Sequence, residues 1–218
     1  MARRSTRRKR ERQQRRREVL GVALNLFLRK GFQKTTMAEI AKQAEFAVGT
    51  LYKLFKDKNA LYRALILDAV QRFEQTLTAA LKGPGSELEK LDRYIEAKAT
   101  LFVQNIATAR LFAQTSGVAF APRLALERGA RAICEKVHRR LETIFRNGIR
   151  KKLILDVEPR MLVLGLEGLS NALLLALIER PDAVSGEQVA AVTKRIFFER
   201  VASSPRRTGL ARGAATGV

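Results

Sequence analysis

A single histidine and a single cysteine leave this chain short of the groups that most catalysis and metal binding use. With one histidine, general acid–base schemes are hard to assemble. The sequence also lacks a Gly-rich phosphate loop after a strand, a nucleophile elbow and any paired-carboxylate constellation, so no reaction is assigned. Cys134 cannot form an intrachain disulfide, which fits a reducing compartment. Cys134 and His138 stand four apart on a helical pattern, but a structural zinc site takes four ligands and nothing nearby completes one. Packing is their expected role, and no metal or other cofactor is expected. Tryptophan is absent and proline occurs only 5 times in 218 residues, while Ala, Leu and Arg abound. That balance suits an all-helical protein, long enough for one small domain and one larger one. Long apolar runs are missing as well: none approaches the ~20 residues that a membrane span needs. VLGVALNLFL (19–28) after a basic start loosely imitates a leader, yet Leu20, Ala23, Leu24 and Phe27 form a helical stripe that stops at Arg29-Lys30-Gly31. The expectation is a folded helix in a cytoplasmic protein with no membrane partner.

What the chain has in excess is positive charge, 42 basic against 21 acidic residues, or +21. Such a protein is drawn to polyanions before any specific contact forms. The charge is uneven. Residues 1–17 hold ten Lys/Arg and one Glu, among them Arg3, Arg4, Arg7, Arg8, Lys9 and Arg10. Like charges this dense repel, so the arm is expected to be disordered or frayed helix when free. Its functional reading is an arm along phosphates or in a minor groove; the bland reading is a solvated tail.

Residues 36–58, TMAEIAKQAEFAVGTLYKLFKDK, read as a helix-turn-helix. Thr36 with Glu39 three residues on makes a capping box. Met37, Ile40, Ala41 and Ala44 then recur at helical spacing and face inward. A break at Glu45-Phe46-Ala47 precedes a second short helix from Val48. There Leu51 and Phe55 face the core, with Val48 and Tyr52 at its edge. Gly49, Thr50, Lys53 and Lys56 point outward, a set that a major groove can accept.

On these residues the segment from Leu20 to Leu61 resembles the DNA-binding domain of the TetR family of bacterial transcriptional regulators. The matching marks are ALNLFLRKGF (23–32), Thr35-Thr36, EIAKQA (39–44) and GTLYKLFKDKNAL (49–61). The turn departs from the family's Gly-aliphatic-Ser pattern. A left-handed residue there without glycine costs roughly 1 kcal/mol or more, and an Ala47 that cannot cap loses about 1 kcal/mol relative to serine. By match to the family's positions, Thr36, Thr50, Tyr52 and Lys58 are expected phosphate contacts. Ala47, Val48 and Gly49 offer only apolar contact and close backbone approach, leaving Tyr52 and Lys53 as the main base readers. Leu54 stands where the family commonly has His or Tyr, which removes one expected phosphate contact; with these departures together the fold is expected to carry over and the operator sequence is not.

The resemblance implies an all-α fold of about nine helices: a three-helix DNA-binding domain (18–64) after the arm (1–17), a helical effector-binding and dimerisation domain (65–202), and a disordered tail (203–218). Helices are expected at 58–81, 87–105 and 107–116. A turn around Gly117–Pro122 should precede a long helix to about Arg146, with a break marked by Asn147-Gly148 and Lys151-Lys152. Two more follow, 157–179 ended by Pro181, and 186–201 capped by Ser185. Gly165, Gly168, Ala172 and Ala176 share one face of the first of these, with Leu169 beside them, and the resemblance makes that face a homodimer interface. Tyr94, Lys98, Leu101, Phe102, Phe112, Gln114, Phe120 and His138 fall on or beside apolar faces of the middle helices. Core packing is the ordinary reading of such stripes; the resemblance makes them candidates for a pocket taking a small apolar effector. The expected function is a homodimeric regulator, most often a repressor in this family, reading a palindromic operator in double-stranded DNA. The alternative is a non-specific architectural or nucleoid-associated DNA binder without an effector. An RNA- or membrane-surface binder is a third.

Overall fold

The computed structural model describes residues 2–116, 126–180 and 182–202. Among them run nine helices: α1 (Ala2–Lys30), α2 (Met37–Gln43), α3 (Val48–Leu54), α4 (Lys58–Lys82), α5 (Glu87–Gln104), α6 (Ile106–Ser116), α7 (Arg128–Arg150), α8 (Pro159–Glu179) and α9 (Gly186–Val201). The fold is all-α, as the composition and periodicity imply. The turn expected around Gly117–Pro122, the candidate Phe120, the Pro181 stop and the 203–218 tail lie outside the described residues.

The chain divides into two units, Met1–Arg72 with Gln104–Ile133, and Phe73–Val103 with Cys134–Val218. This differs from a division at residue 64, because α6 joins the first unit through contacts with α1. In that unit Val19, Leu20, Ala23, Leu26 and Phe27 form a buried stripe of α1, which packs on α2 with its buried Met37, Ile40 and Ala41, and α2 in turn packs on α3 with its buried Leu51. Phe27 and Phe32 meet with ring centroids 5.1 Å apart, and Phe32 meets Tyr62 edge-on at 5.4 Å.

The arm is helical in the structure. Residues 2–17 are the first turns of α1, continuous with the domain's own first helix. Arg, Gln and Glu are good helix formers, which offsets part of their mutual repulsion. Gln14 donates to Glu18 one turn on (3.2 Å), and the Arg16 guanidinium lies 4.5 Å from the centre of the Phe55 ring, tying the arm to the domain.

In the second unit the inward faces of α5, α7, α8 and α9 supply the core, including Leu91, Ile95, Leu141, Phe145, Leu166, Leu174 and Val189. Phe145 and Phe197 pack with centroids 5.8 Å apart. Of the break expected at Asn147-Gly148 and Lys151-Lys152, the second pair marks the helix end and the first does not interrupt it. α7 continues to Arg150, and Gly148 instead admits the returning chain: a Cβ there would stand 2.5 Å from Ile154 Cδ1. Lys152, at φ 58, follows the helix end in the left-handed region. α8 starts at Pro159 with Glu158 as cap, its carboxylate accepting from Met161 N at 2.9 Å. The Ser185/Gln188 capping box opens α9 as expected.

α8 corrects one expectation. By length and composition it is apolar enough to cross a membrane. Its apolarity has uses within the fold, since Leu162, Val163, Leu166, Leu174 and Leu177 are buried and the helix packs on α9. A core helix passes the same test.

Candidate DNA-binding surface

α1 ends at Gly31, whose φ of 83 needs no side chain to be accommodated. Thr35 is buried and donates back to Gly31 O at 2.9 Å, fixing the turn. Thr36 then caps α2: its hydroxyl accepts from Glu39 N (3.2 Å) while Thr36 N donates to Glu39 Oε2 (2.9 Å). Hydrogen bonds from Lys30 and the Thr36 N–H hold the Glu39 carboxyl down to about 2. The Thr36 hydroxyl also donates to Glu39, so this candidate phosphate contact is engaged in the cap.

The turn follows the cost argued from its sequence. Glu45 takes φ 57, the left-handed conformation that glycine adopts freely. Ala47 occupies the cap position of α3 with no side-chain hydrogen bond. Leu51 and Phe55 are buried, anchoring α3. The outer face carries Ala47, Val48, Gly49, Tyr52, Lys53 and Lys56, all exposed, with Thr50 half-buried beside them. A Cβ on Gly49 would meet nothing within 4 Å, so packing within the chain does not require glycine there.

Lys58 sits elsewhere than expected. Its ammonium donates to the carbonyls of Phe32 (2.7 Å), Gln33 (2.9 Å) and Thr35 (2.8 Å) and lies 4.7 Å from the Phe32 ring centre. Those three bonds use all the donors an ammonium has. The lysine clamps the start of α4 to the α1–α2 turn rather than presenting its charge to a phosphate. Lys58→Met is accordingly expected to lower stability by about 2 kcal/mol, the scale of hydrogen bonds from a charged group, without changing the salt dependence of DNA binding. Urea unfolding and a salt titration check this. A slope flattened by about 1 with unchanged stability would return Lys58 to the phosphate interface.

The candidate effector residues separate into two places. Tyr94, Lys98 and His138 converge in the second unit on Glu167, which the sequence reading missed. Tyr94 Oη donates to Glu167 Oε1 at 2.6 Å, Lys98 Nζ donates to the same oxygen at 2.9 Å, and His138 Nε2 stands 3.6 Å from Oε2. Burial pushes the Glu167 carboxyl up, but the Lys98 charge and hydrogen bonds from His138, Tyr94 and Lys98 outweigh it and hold the group far below the carboxylate range. Burial and the Glu167 charge push the Tyr94 phenol up. Leu101 is buried and Phe102 half-buried on the same helix, α5. Phe112 and Gln114 instead line a cavity of about 1060 Å³ in the first unit, among residues of the α1–α2 turn, the start of α4, the end of α6 and Leu126–Ala130.

Along α8 the small-residue face is open. Gly165, Gly168 and Ala172 are exposed, Ala176 and Leu169 half-buried, and a Cβ on either glycine would meet nothing within 4 Å. Met161 and Leu164 extend this apolar stripe, and Val192 and Ile196 are exposed on α9.

A capped helix, a tight turn and a second short helix with an exposed basic and small-residue face define a helix-turn-helix DNA-binding protein. Residues 19–65 match the family profile described as bacterial regulatory proteins, tetR family. The chain is 25% identical over 107 residues to the HTH-type transcriptional regulator HbdR of Aromatoleum sp. (strain CIB), a match spanning 49% of this chain and 47%, about half, of that relative. It is 28% identical over 151 residues to the HTH-type transcriptional regulator AcrR of Shigella flexneri, covering 67% of this chain and 69% of that one. A transcriptional regulator of Saccharomonospora viridis, solved in complex with choline, superposes with a TM-score of 0.71 at 16% identity, covering 87% of this chain and 98% of its own. At that identity the likeness is one of fold. Residues 19–65 thus carry the DNA-binding domain of the tetR family of bacterial regulatory proteins, and the described helices share the fold of solved TetR-family regulators. The relatives it matches are transcriptional regulators.

Proposed function

We propose that this protein is a homodimeric repressor that reads a palindromic operator and is released by a small apolar molecule. The observation that carries the reading is the outer face of α3, where exposed Gly49, Tyr52 and Lys53 sit above a buried Leu51 and Phe55. Gly49 lets the backbone approach a base edge, Val48 offers contact to thymine methyls, and Tyr52 and Lys53 supply polar contacts. Thr50 and Lys56 flank them as candidates for phosphate. The basic arm adds sequence-independent attraction along the backbone. Repression follows from geometry: a dimer seated on two half-sites bars the same DNA to other proteins. Choline bound to the Saccharomonospora viridis regulator supports a small organic effector without naming the one this chain takes.

A two-fold protein needs a self-complementary face, and the exposed stripe on α8 fits that need. Open glycines let two helices approach closely, and the leucines and Met161 around them supply apolar area. The mechanism couples two sites through α4: an effector bound in the larger domain biases the position of the reading heads, so DNA and effector weaken each other by the same factor.

Selection of genomic fragments by the full-length protein at physiological salt tests the function. Recovery of one palindromic motif supports a specific regulator; enrichment no better than random DNA gives the architectural binder instead. Gly168→Arg is expected to leave the protein folded by circular dichroism and monomeric in sedimentation, with operator affinity lost by at least a hundredfold. A folded mutant that remains dimeric puts the interface elsewhere.

A further inference from the structure

The 1060 Å³ cavity of the first unit is large for a chance gap, at the upper end of the volumes that hold small molecules. Its apolar lining comes from Phe32, Ile66, Leu67, Leu111, Phe112 and Leu126. Around them stand four cationic side chains, Arg16, Lys30, Lys34 and Arg63, and one carboxylate, Glu127. Glu127 is paired with Arg63 at 3.5 Å, and Lys30 with Glu39 outside the cavity, while Arg16 lies against Phe55. Lys34 is exposed, with no ion pair among the described residues. An apolar lining with a cationic excess favours one kind of occupant. A neutral apolar molecule leaves the positive field unanswered, and an amphipathic cation is repelled by it.

We propose that this cavity is a binding site for an amphipathic anion, an apolar body ending in a carboxylate, with the body against Phe112 and Leu126 and the anionic end at Lys34 and Arg63. The site is distinct from the Tyr94–Lys98–Glu167 cluster, whose carboxylate already answers the local cation. Its position also gives it a direct line to DNA recognition. Phe32, Gln33 and Lys34 line the cavity, and the carbonyls of Phe32 and Gln33 are held by Lys58. Tyr62 and Thr115, both in the lining, hydrogen-bond to each other across α4 and α6. An occupant therefore touches the turn that sets the start of α2 and the first turns of α4. This consequence, though not the site, rests on the effector-controlled reading above.

Dodecanoate is the probe, titrated calorimetrically into full-length protein beside dodecanol and dodecyltrimethylammonium. The carboxylate is expected to bind at least tenfold more tightly than the alcohol, and the quaternary amine more weakly than either. Lys34→Glu combined with Arg63→Glu, both at exposed positions, should weaken dodecanoate about tenfold and leave dodecanol unchanged. Ala130→Phe, which fills the cavity, should weaken both. Equal affinities for carboxylate and alcohol, or dodecanoate binding untouched by the charge reversal, overturn the proposal. Operator binding measured with and without dodecanoate separates the two readings. Tenfold preference with unchanged operator affinity supports the site and overturns its effector role. Operator release that persists equally in both variants overturns the site and leaves the effector reading standing.

Discussion

Glu167→Gln is expected to lower the unfolding free energy by about 3–5 kcal/mol, the range for removing one partner of a buried ion pair. The Lys98 side chain is 8% exposed and that of Glu167 16%, so water does not take over the role of the lost charge. Glutamine can still accept from the Tyr94 hydroxyl, but the Lys98 ammonium is left buried with no anion within bonding distance. The companion variant, Glu167→Leu with Lys98→Met, removes both charges and is expected to recover much of the loss, leaving the Tyr94 hydroxyl as the orphan. Acid should expose the same term. The Glu167 carboxyl is held below its unfolded value of about 4.3, so its contribution is present above that pH and is lost as pH falls toward the folded value. The wild type should therefore lose more stability than the double variant between about pH 5 and pH 3. Urea unfolding at several pH values measures this. A Glu167→Gln loss below about 1 kcal/mol would mean that the cluster is effectively solvated.

That cluster marks where the sequence stops being legible. Local rules carried the DNA-binding end. Thr36 with Glu39 gave the cap, Glu45 in a glycine-free turn gave the left-handed residue, and Ala47 gave an uncapped α3, because each depends on neighbours three or four residues away. Glu167 meets Tyr94 and Lys98 across 73 and 69 residues, a distance no periodicity reports. One signal was available: Glu167 is the sole charged residue between Arg160 and Glu179 in an apolar helix, and a lone buried acid needs partners. Lys58 shows the opposite limit. The family match gave it a phosphate, while carbonyls 23 to 26 residues back in the chain take its three donors. Gly148 looked like a helix stop and is a contact site, since the same residue type serves both and only Ile154 in place decides between them. The pocket residues shared an apolar pattern that could not say which helices would meet, and they fell into two places.

Deletion of residues 2–17 is expected to lower the log–log salt slope of operator binding by about 4 while leaving the half-sites protected. The segment holds all ten Lys/Arg of the arm, and each phosphate neutralised contributes about 0.9 to the slope. The helical form of the arm sets how many can engage. At about 1.5 Å per residue, sixteen residues extend roughly 24 Å, and only one face of a helix can lie on the backbone, so about half the cations reach phosphates. The same form changes what the arm can read. A helix about 10 Å across does not enter a minor groove of about 6 Å, so an arm that stays helical brings no preference for flanking A·T tracts. Helix electrostatics point to the same partner. α1 has no acidic residue in its first turn, so no carboxylate offsets the positive end of the helix dipole. Phosphates at that end supply the offset, so DNA of any sequence should raise helicity in the full-length protein and not in the truncated one. Salt titrations of both proteins on one operator, with circular dichroism of each alone and with random duplex, make the comparison. Identical slopes would mean that the arm is a solvated extension. A lost A·T flank preference on truncation would mean that it unwinds and enters the minor groove as a strand.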